Sequence, residues 1–79
     1  MQKSDDFLAA GCRYFLLVAE AGSVRAAARQ ANTAASAISR QIALLEASLG
    51  IALFERSGRT LRLAPAGEEL RRALTSSAL

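Results

Sequence analysis

The sequence predicts a mainly α-helical fold, and three observations support this prediction. Among the 79 residues, 18 are Ala and 12 are Leu, two residue types that favour helices. Apolar residues recur every three or four positions along the first fifty residues, which is the period of a helix. A short Gly-containing link at 57–59 separates two extended runs, which predicts one β-hairpin. We therefore expect three helices, a two-stranded hairpin and a final helix in one small domain.

The first two helices are marked by their expected ends. Asp5 or Asp6 is expected to cap the first helix. Gly22 is expected to end it in the left-handed conformation. Ser23 follows directly and is expected to cap a short, Ala-rich second helix over residues 24–30.

The third helix, over residues 35–49, carries the clearest pattern in the sequence. Its apolar stripe, expected to be buried, consists of Ile38, Ile42, Leu45 and Leu49. Its opposite, outer side carries small residues and one arginine, namely Ser36, Arg40, Ala43 and Ala47. A helix that needed only solubility would carry more charges on its outer side. The pattern therefore indicates that something broad lies against this face.

The hairpin and the final helix follow Gly50. Extended runs over 52–56 and 60–63 are expected to pair across the three-residue link. Leu61 and Leu63 should point to one side of the second strand and Arg62 to the other. Pro65 then fits the first position of a helix that continues to about residue 76.

Basic residues concentrate in the middle of the chain. Six Arg and two Glu lie between residues 22 and 62, whereas the two ends together are nearly neutral. The six are Arg25, Arg29, Arg40, Arg56, Arg59 and Arg62. Such a region favours a polyanionic partner. The alternative is a solvated surface that is merely rich in Arg.

Composition also excludes several classes of protein. The chain has no His, so the usual general base and the usual metal ligand are missing. Its one cysteine, Cys12, cannot form an internal disulfide and is expected to be a small, buried apolar residue. The longest apolar run, 14–19, is far shorter than the ~20 residues of a membrane span, and the N-terminus lacks the layout of a signal peptide. We expect a cytoplasmic binding domain that is not an enzyme, holds no cofactor or metal and does not contact a membrane.

This order of elements is that of a winged helix-turn-helix, whose recognition helix enters the major groove of DNA. On the outer face of the third helix, Ser36, Ser39 and Arg40 supply hydrogen-bond donors for base edges. Three arginines of the hairpin, or wing, suit phosphates or a narrow minor groove. They are Arg56, Arg59 and Arg62.

Several segments, in order and without gaps, resemble the N-terminal domain of LysR-type transcriptional regulators. The matching segments are Arg13-Tyr14-Phe15, Val18 to Ser23, Ala26-Ala27-Ala28, Ser36 to Ile42, Leu45-Glu46, Leu49-Gly50, Leu53 to Arg56, Gly58-Arg59 and Pro65 to Glu68. The resemblance implies a bacterial DNA-binding domain that regulates transcription. By position, the base-reading segment of the family falls on Ala35, Ser36, Ser39 and Arg40. Its wing contacts fall on Arg56 and Arg59, with Ser57 and Gly58 shaping the tip.

The resemblance also implies an organisation for the whole regulator. It places the DNA-binding domain at 1–64 and the start of a linker helix at 65–79, through which protomers form a homodimer that reads inverted half-sites in double-stranded DNA. The full-length protein could form tetramers, and a C-terminal domain that this chain lacks would bind a small-molecule inducer. Leu70 and Leu74 are the expected dimer contacts, because a protruding helix has little of its own domain to pack against.

The sequence departs from the family's pattern around the start of the recognition helix. The Gln-Pro that is common there is replaced by Ala35-Ser36, so Ala35 is expected to contact a thymine methyl instead. Ala34 replaces a capping Ser or Thr, so either Asn32 or Thr33 is expected to cap the helix.

Some residues keep a second interpretation. Ser23 is a helix cap first and a phosphate contact second, and Arg25 either contacts phosphate or is solvated. Arg56 either contacts DNA or pairs with Glu46 or Glu55. For the domain as a whole, the alternative function is a protein-interaction module built on the same frame.

Overall fold

The computed structural model describes residues 3–58 and 60–76. Over these ranges it contains, in order, α1 (Lys3–Ala21), α2 (Val24–Ala31), α3 (Ala35–Leu49), β1 (Phe54–Ser57), β2 (Thr60–Leu63) and α4 (Pro65–Ser76). The predicted fold class, a winged helix-turn-helix followed by a helix, is thereby confirmed. Within the described ranges, no helix is long and apolar enough to cross a membrane.

The start of α1 differs from the prediction, whereas its end agrees with it. The helix begins at Lys3, so Asp5 and Asp6 lie inside it and do not cap it. Acidic residues are favoured throughout the first turn as well as at the cap, so they do not fix the starting residue. At the other end, Gly22 has φ +88° and its N–H donates to the carbonyl of Val18 at 2.9 Å.

Side-chain and backbone caps hold both ends of α2. The Ser23 side chain accepts a hydrogen bond from the N–H of Ala26 at 3.0 Å, which confirms Ser23 as the N-cap. At the C-terminal end, Asn32 adopts the left-handed conformation with φ 55°, and its N–H donates to the carbonyls of Ala28 and Arg29. The turn to α3 is therefore only a few residues long.

The N-cap of α3 is Ala34, and this position supplies no side-chain capping hydrogen bond. The expectation that Asn32 or Thr33 would act as the cap is wrong. Asn32 already ends α2, and the N–H of Thr33 donates to the carbonyl of Ala28 at 3.0 Å, so both belong to the end of the preceding helix. The connection is too short to spare either of them for α3.

The core consists of two clusters of buried side chains. The first lies between α1, α2 and α3 and contains Val18, Ala27, Ala28, Ile38 and Ile42. The second lies between α1, α3 and the loop before β1 and contains Phe15, Leu45 and Leu53. Phe54 packs against both clusters, and its ring centroid lies 5.4 Å from that of Phe15. This contact joins the wing to the helical core.

Leu49 departs from the predicted stripe of α3. Ile38, Ile42 and Leu45 are buried as expected, whereas 47% of Leu49 is exposed. The 3.6-residue period identifies a side of the helix, but burial also requires a neighbouring element. Among the described residues, none covers the Leu49 side chain as fully as the other residues of the stripe are covered.

The hairpin is longer at its tip than the sequence predicts. Ser57 pairs with Thr60, and the register continues to Phe54 opposite Leu63. Ser57 therefore belongs to β1, so two residues rather than three connect the strands. The first strand starts at Phe54 instead of residue 52. Gly58 has φ +63°, a conformation that Gly adopts without strain and that suits a tight hairpin turn.

Helix α4 packs against the domain instead of protruding from it. Ala66, Leu70 and Leu74 all pack against the second cluster, so the reason given for assigning Leu70 and Leu74 to a dimer contact is wrong. Gly67, in the first turn of α4, lies against the carbonyl oxygen of Leu53, where a Cβ atom would overlap it. Neither Pro65 nor the leucines of α4 indicate this close approach in the sequence.

Candidate nucleic-acid interface

The outer face of α3 is exposed to solvent. Ser36, Ser39 and Arg40 are exposed, and the predicted outward side of the helix is thereby confirmed. Within the described part of the chain, no hydrogen bond or ion pair engages these three side chains. Ala43 and Ala47 continue the same low, exposed surface. A partner can therefore approach this helix without first breaking contacts.

Ala35 is less available than its neighbours on α3. It is half-buried and packs against the first core cluster. Only part of its methyl surface is left for a thymine methyl or another partner.

Two of the wing arginines, Arg56 and Arg62, lie on opposite faces of the hairpin. Directly opposed residues of an antiparallel pair share a face. Arg56 is opposite Leu61, so it lies on the face that packs against the helices, whereas Arg62 is opposite Glu55 on the outer face. Both arginines are exposed. The sequence groups them as one set, but the register separates their roles.

A cleft of about 330 Å³ separates α3 from the wing and brings predicted site residues together. Its lining comprises Val24, Ser39, Ile42, Ala43, Glu46, Phe54, Arg56 and Leu61. Ser39 of α3 and Arg56 of β1 thus face one space. An extended, polar, negatively charged strand that follows the outer face of α3 would meet both.

Among the residues that the structure describes, the other predicted DNA contacts do not line this cleft. Ser57 and Gly58 are exposed at the tip of the wing. Arg59 lies outside the described residues. Arg25 is exposed in the first turn of α2, next to Val24 of the cleft. Ser23 is half-buried, and its hydroxyl already caps α2.

Glu46 has a role that the sequence analysis missed. Its Oε2 accepts hydrogen bonds from the N–H groups of Leu53 at 2.8 Å and Phe54 at 3.2 Å. Its backbone carbonyl accepts from the N–H groups of Gly50 at 2.8 Å and Ile51 at 3.2 Å. One residue of α3 thus binds four N–H groups of the segment leading into β1. A lone acid beside the apolar stripe of a low-charge helix is the signal that could have indicated this.

The alternative that Arg56 pairs with Glu46 or Glu55 finds no support in the geometry. Among the described residues, the ion pair within 4 Å joins Arg71 and Glu68 at 3.6 Å, both on α4. The Oε2 atom of Glu46 is occupied by backbone N–H groups. The guanidinium of Arg56 is therefore available to an external anion.

Cys12 lies in the core region and away from the cleft. It is half-buried against the second cluster, and burial raises the pKa of its thiol. The neutral thiol is the form that suits such a site and reacts slowly. Its packing against the cluster agrees with the expected apolar role, but Cys12 is half-buried and not buried as predicted.

Comparison with known proteins gives a consistent result. The family model described as "bacterial regulatory helix-turn-helix protein, lysR family" matches residues 10–68. The chain is 48% identical over 66 residues to the HTH-type transcriptional regulator TfdS of Cupriavidus pinatubonensis, covering 78% of this chain and 22% of TfdS. The chain thus spans about a fifth of the length of the curated relatives that it matches. These relatives are named as transcriptional regulators and not as enzymes.

Two solved structures of protein–DNA complexes have the same fold. One is the complex of the BenM DBD with catB site 1 DNA, with a TM-score of 0.77, 37% identity, and coverage of 86% of this chain and 76% of that one. The other is the CbnR DBD–DNA complex, with a TM-score of 0.71, 42% identity, and coverage of 86% and 83%. In both cases the chain is similar to the DNA-binding domain in sequence as well as in fold.

Proposed function

Because this chain belongs to the LysR family of bacterial regulatory helix-turn-helix proteins, we propose that it binds double-stranded DNA sequence-specifically and regulates transcription. Helix α3 lies in the major groove, and the wing contacts the backbone or the minor groove. The observation that carries the proposal is the shared exposure of Ser39 on α3 and Arg56 on the wing along one cleft. The DNA complexes of related domains support binding to double-stranded DNA.

The side chains divide into two groups by their expected contacts. Ser36, Ser39 and Arg40 face base edges, because an exposed helix face without charges other than one Arg can approach the groove floor. Phosphates are contacted from the surrounding elements. The residues proposed for this are Ser23, Arg25, Arg56, Ser57, Gly58, Arg59 and Arg62.

We further propose that the regulator acts in the cytoplasm as a homodimer on inverted half-sites, with Leu70 and Leu74 next to the interface. Both leucines are half-buried on their own core, so each has only part of its surface left for a partner protomer. A two-fold dimer of this fold contacts two half-sites about one helical turn apart, or a multiple of that distance. An operator obtained by selection from random duplexes should therefore be an inverted repeat.

The test is binding of the chain to mixed-sequence duplex DNA, measured by fluorescence anisotropy over a salt series. The logarithm of the association constant should fall with that of the salt concentration with a slope of about 0.9 for each phosphate neutralised. Replacing Arg59 with Ala should weaken binding to all sequences and lower the slope by about 1. Replacing Arg40 with Ala should instead relax the preference for the selected operator.

Two results would contradict this function. One is the absence of salt-dependent binding, also in a chain whose dimerisation is enforced, which would favour a protein-interaction module. The other is normal binding by both the Arg40 and the Arg59 variants, which would show that the DNA face lies elsewhere.

A further inference from the structure

The connection between α3 and the wing depends on one side chain. Leu53 and Phe54 begin the wing, and both donate their N–H groups to the same atom, Oε2 of Glu46. The segment before them is held by the backbone carbonyl of the same residue. Without the carboxylate, two N–H groups at the base of the wing would lose their acceptor, which is unfavourable in a half-buried site.

Glu46 is an acidic residue at a place where its charge is unfavourable for DNA binding. It lines the same cleft as Ser39 and Arg56, where the proposed function places DNA. A negative charge at this position repels phosphates, so electrostatics alone would favour its absence. The hydrogen bonds that its carboxylate accepts from the base of the wing explain its presence there.

We propose that Glu46 is a positioning residue for DNA binding: it fixes the wing against α3 so that Arg56 and the outer face of α3 contact the same duplex. Arg56 follows Phe54 by two residues on β1 and shares its face of the hairpin. The position of its guanidinium relative to Ser39 therefore depends on where the segment 53–54 is held. This inference rests on the proposed function, because it concerns how that same surface binds DNA.

Three substitutions at this position separate geometry from charge. Glu46→Gln keeps the reach and one carbonyl oxygen, which can accept both N–H groups because both donate to a single oxygen in the native protein. Glu46→Asp keeps the charge but withdraws it by one carbon. Glu46→Ala removes both the hydrogen-bond acceptor and the charge. Glu69→Ala is the matched control, since it removes an exposed carboxylate on α4, away from the cleft.

The affinity for a mixed-sequence duplex, measured by fluorescence anisotropy, should depend on whether the side chain at position 46 reaches the N–H groups of Leu53 and Phe54. We expect Glu46→Gln to bind at least as tightly as the native chain, and the Asp and Ala variants to bind about threefold to tenfold more weakly. If charge alone mattered, the Gln and Ala variants would both bind more tightly and Asp would match the native chain. That second order would overturn the proposal.

A coupling measurement makes the test specific to the wing. Arg56→Ala should weaken binding about threefold or more in the native and Glu46→Gln backgrounds, but by less than about 1.5-fold in the Glu46→Asp background. Arg40→Ala on α3 should cost the same factor in all three backgrounds. An equal cost of Arg56→Ala in every background would overturn the proposal.

Amide hydrogen exchange separates failure of this inference from failure of the proposed function, because it needs no DNA. In the Asp variant, and in the Ala variant if it folds, amides of residues 53–57 and 60–63 should exchange faster, while those of α1 and α2 stay protected. The Gln variant should exchange like the native chain. Unchanged exchange in the wing of the Asp variant would overturn the inference even if DNA binding is confirmed.

Discussion

At the scale of single residues, the two helical glycines show how differently one missing methyl group can matter. A Cβ at Gly67 would overlap the backbone carbonyl of Leu53 and lie 2.9 Å from Cδ2 of Leu63. A Cβ at Gly11 would lie 3.3 Å from the Cβ of Leu45, a tight contact with a side chain. The carbonyl of Leu53 is backbone at the base of the wing and cannot yield without moving β1, whereas the contact at Gly11 requires Leu45 to move by only a few tenths of an ångström.

We predict that alanine destabilises the domain much more at Gly67 than at Gly11. Gly67→Ala should lower the free energy of unfolding by about 1–3 kcal/mol or more, because overpacking against a fixed backbone costs this amount. Gly11→Ala should change it by less than about 1 kcal/mol, because the better helix propensity of Ala offsets the tight contact. Urea unfolding monitored by circular dichroism gives both values. Equal losses in the two variants would contradict the assigned contacts.

At the scale of elements, the two helices of the helix-turn-helix begin differently. The Ser23 side chain caps α2, whereas α3 starts at Ala34, which has the extended backbone of a capping residue, φ −75° and ψ 139°, but no side-chain acceptor. Ala34 is also exposed, so a hydroxyl can be added there without displacing the core. The start of α3 is therefore less stable than it could be.

From this difference we predict that one substitution raises the free energy of unfolding and another lowers it by a similar amount. Ala34→Ser should raise the free energy of unfolding by about 1 kcal/mol, because a hydroxyl at this position can accept from a first-turn N–H. Ser23→Ala should lower it by about 1 kcal/mol for the converse reason. Thermal unfolding of the free domain measures both without interference from DNA. A destabilised Ala34→Ser variant would show that the backbone at this position does not accept a cap.

At the scale of the whole molecule, α4 is part of the packed domain. Ala66, Leu70 and Leu74 cover the second cluster, and the N–H of Ala64 donates to the carbonyl of Leu53 at 2.9 Å. The division into a domain at 1–64 and a linker helix at 65–79 stays a prediction. A domain this small buries little surface, so the loss of one covering helix removes a large share of its stability.

We predict that a chain ending after residue 64 is unfolded or melts far below the full chain. A chain ending after residue 76 serves as the control and should melt like the full one, since it keeps all of α4. Circular dichroism over a temperature ramp compares the three. If the shorter chain melts at the same temperature, α4 contributes nothing to the fold and the boundary at 64 is a true domain boundary.

Most of the fold could be predicted because local signals agree with the tertiary structure. Gly22, Ser23 and Pro65 mark helix ends through backbone preferences that hold in any context. The exposure of Leu49 could not be predicted, because an apolar stripe shows which side of a helix faces inward and not whether a neighbouring element is present. The packing of Leu70 and Leu74 was missed for the same reason.

The candidate site was predictable in its residue types but not in its arrangement. The exposure of Ser36, Ser39 and Arg40 follows from helical periodicity alone. The separation of Arg56 from Arg62 depends on strand register, which moves with a single residue of loop length. The bonds of Glu46 join residues seven and eight positions apart, a distance that no helical or strand pattern reports.

On α3, the residues that stabilise the fold are different from those on the exposed side, and this separation has a consequence for evolution and design. Residues that build the domain (Ile38, Ile42, Leu45 and Glu46) are separate from those on the outward side, whose side chains hold nothing else in the described structure. Substitutions at such surface positions usually change stability by no more than about 0.5 kcal/mol. Under the proposed function, new operator preferences can therefore arise by exchanging Ser36, Ser39, Arg40 or Ala43 one at a time, and we expect every intermediate to fold.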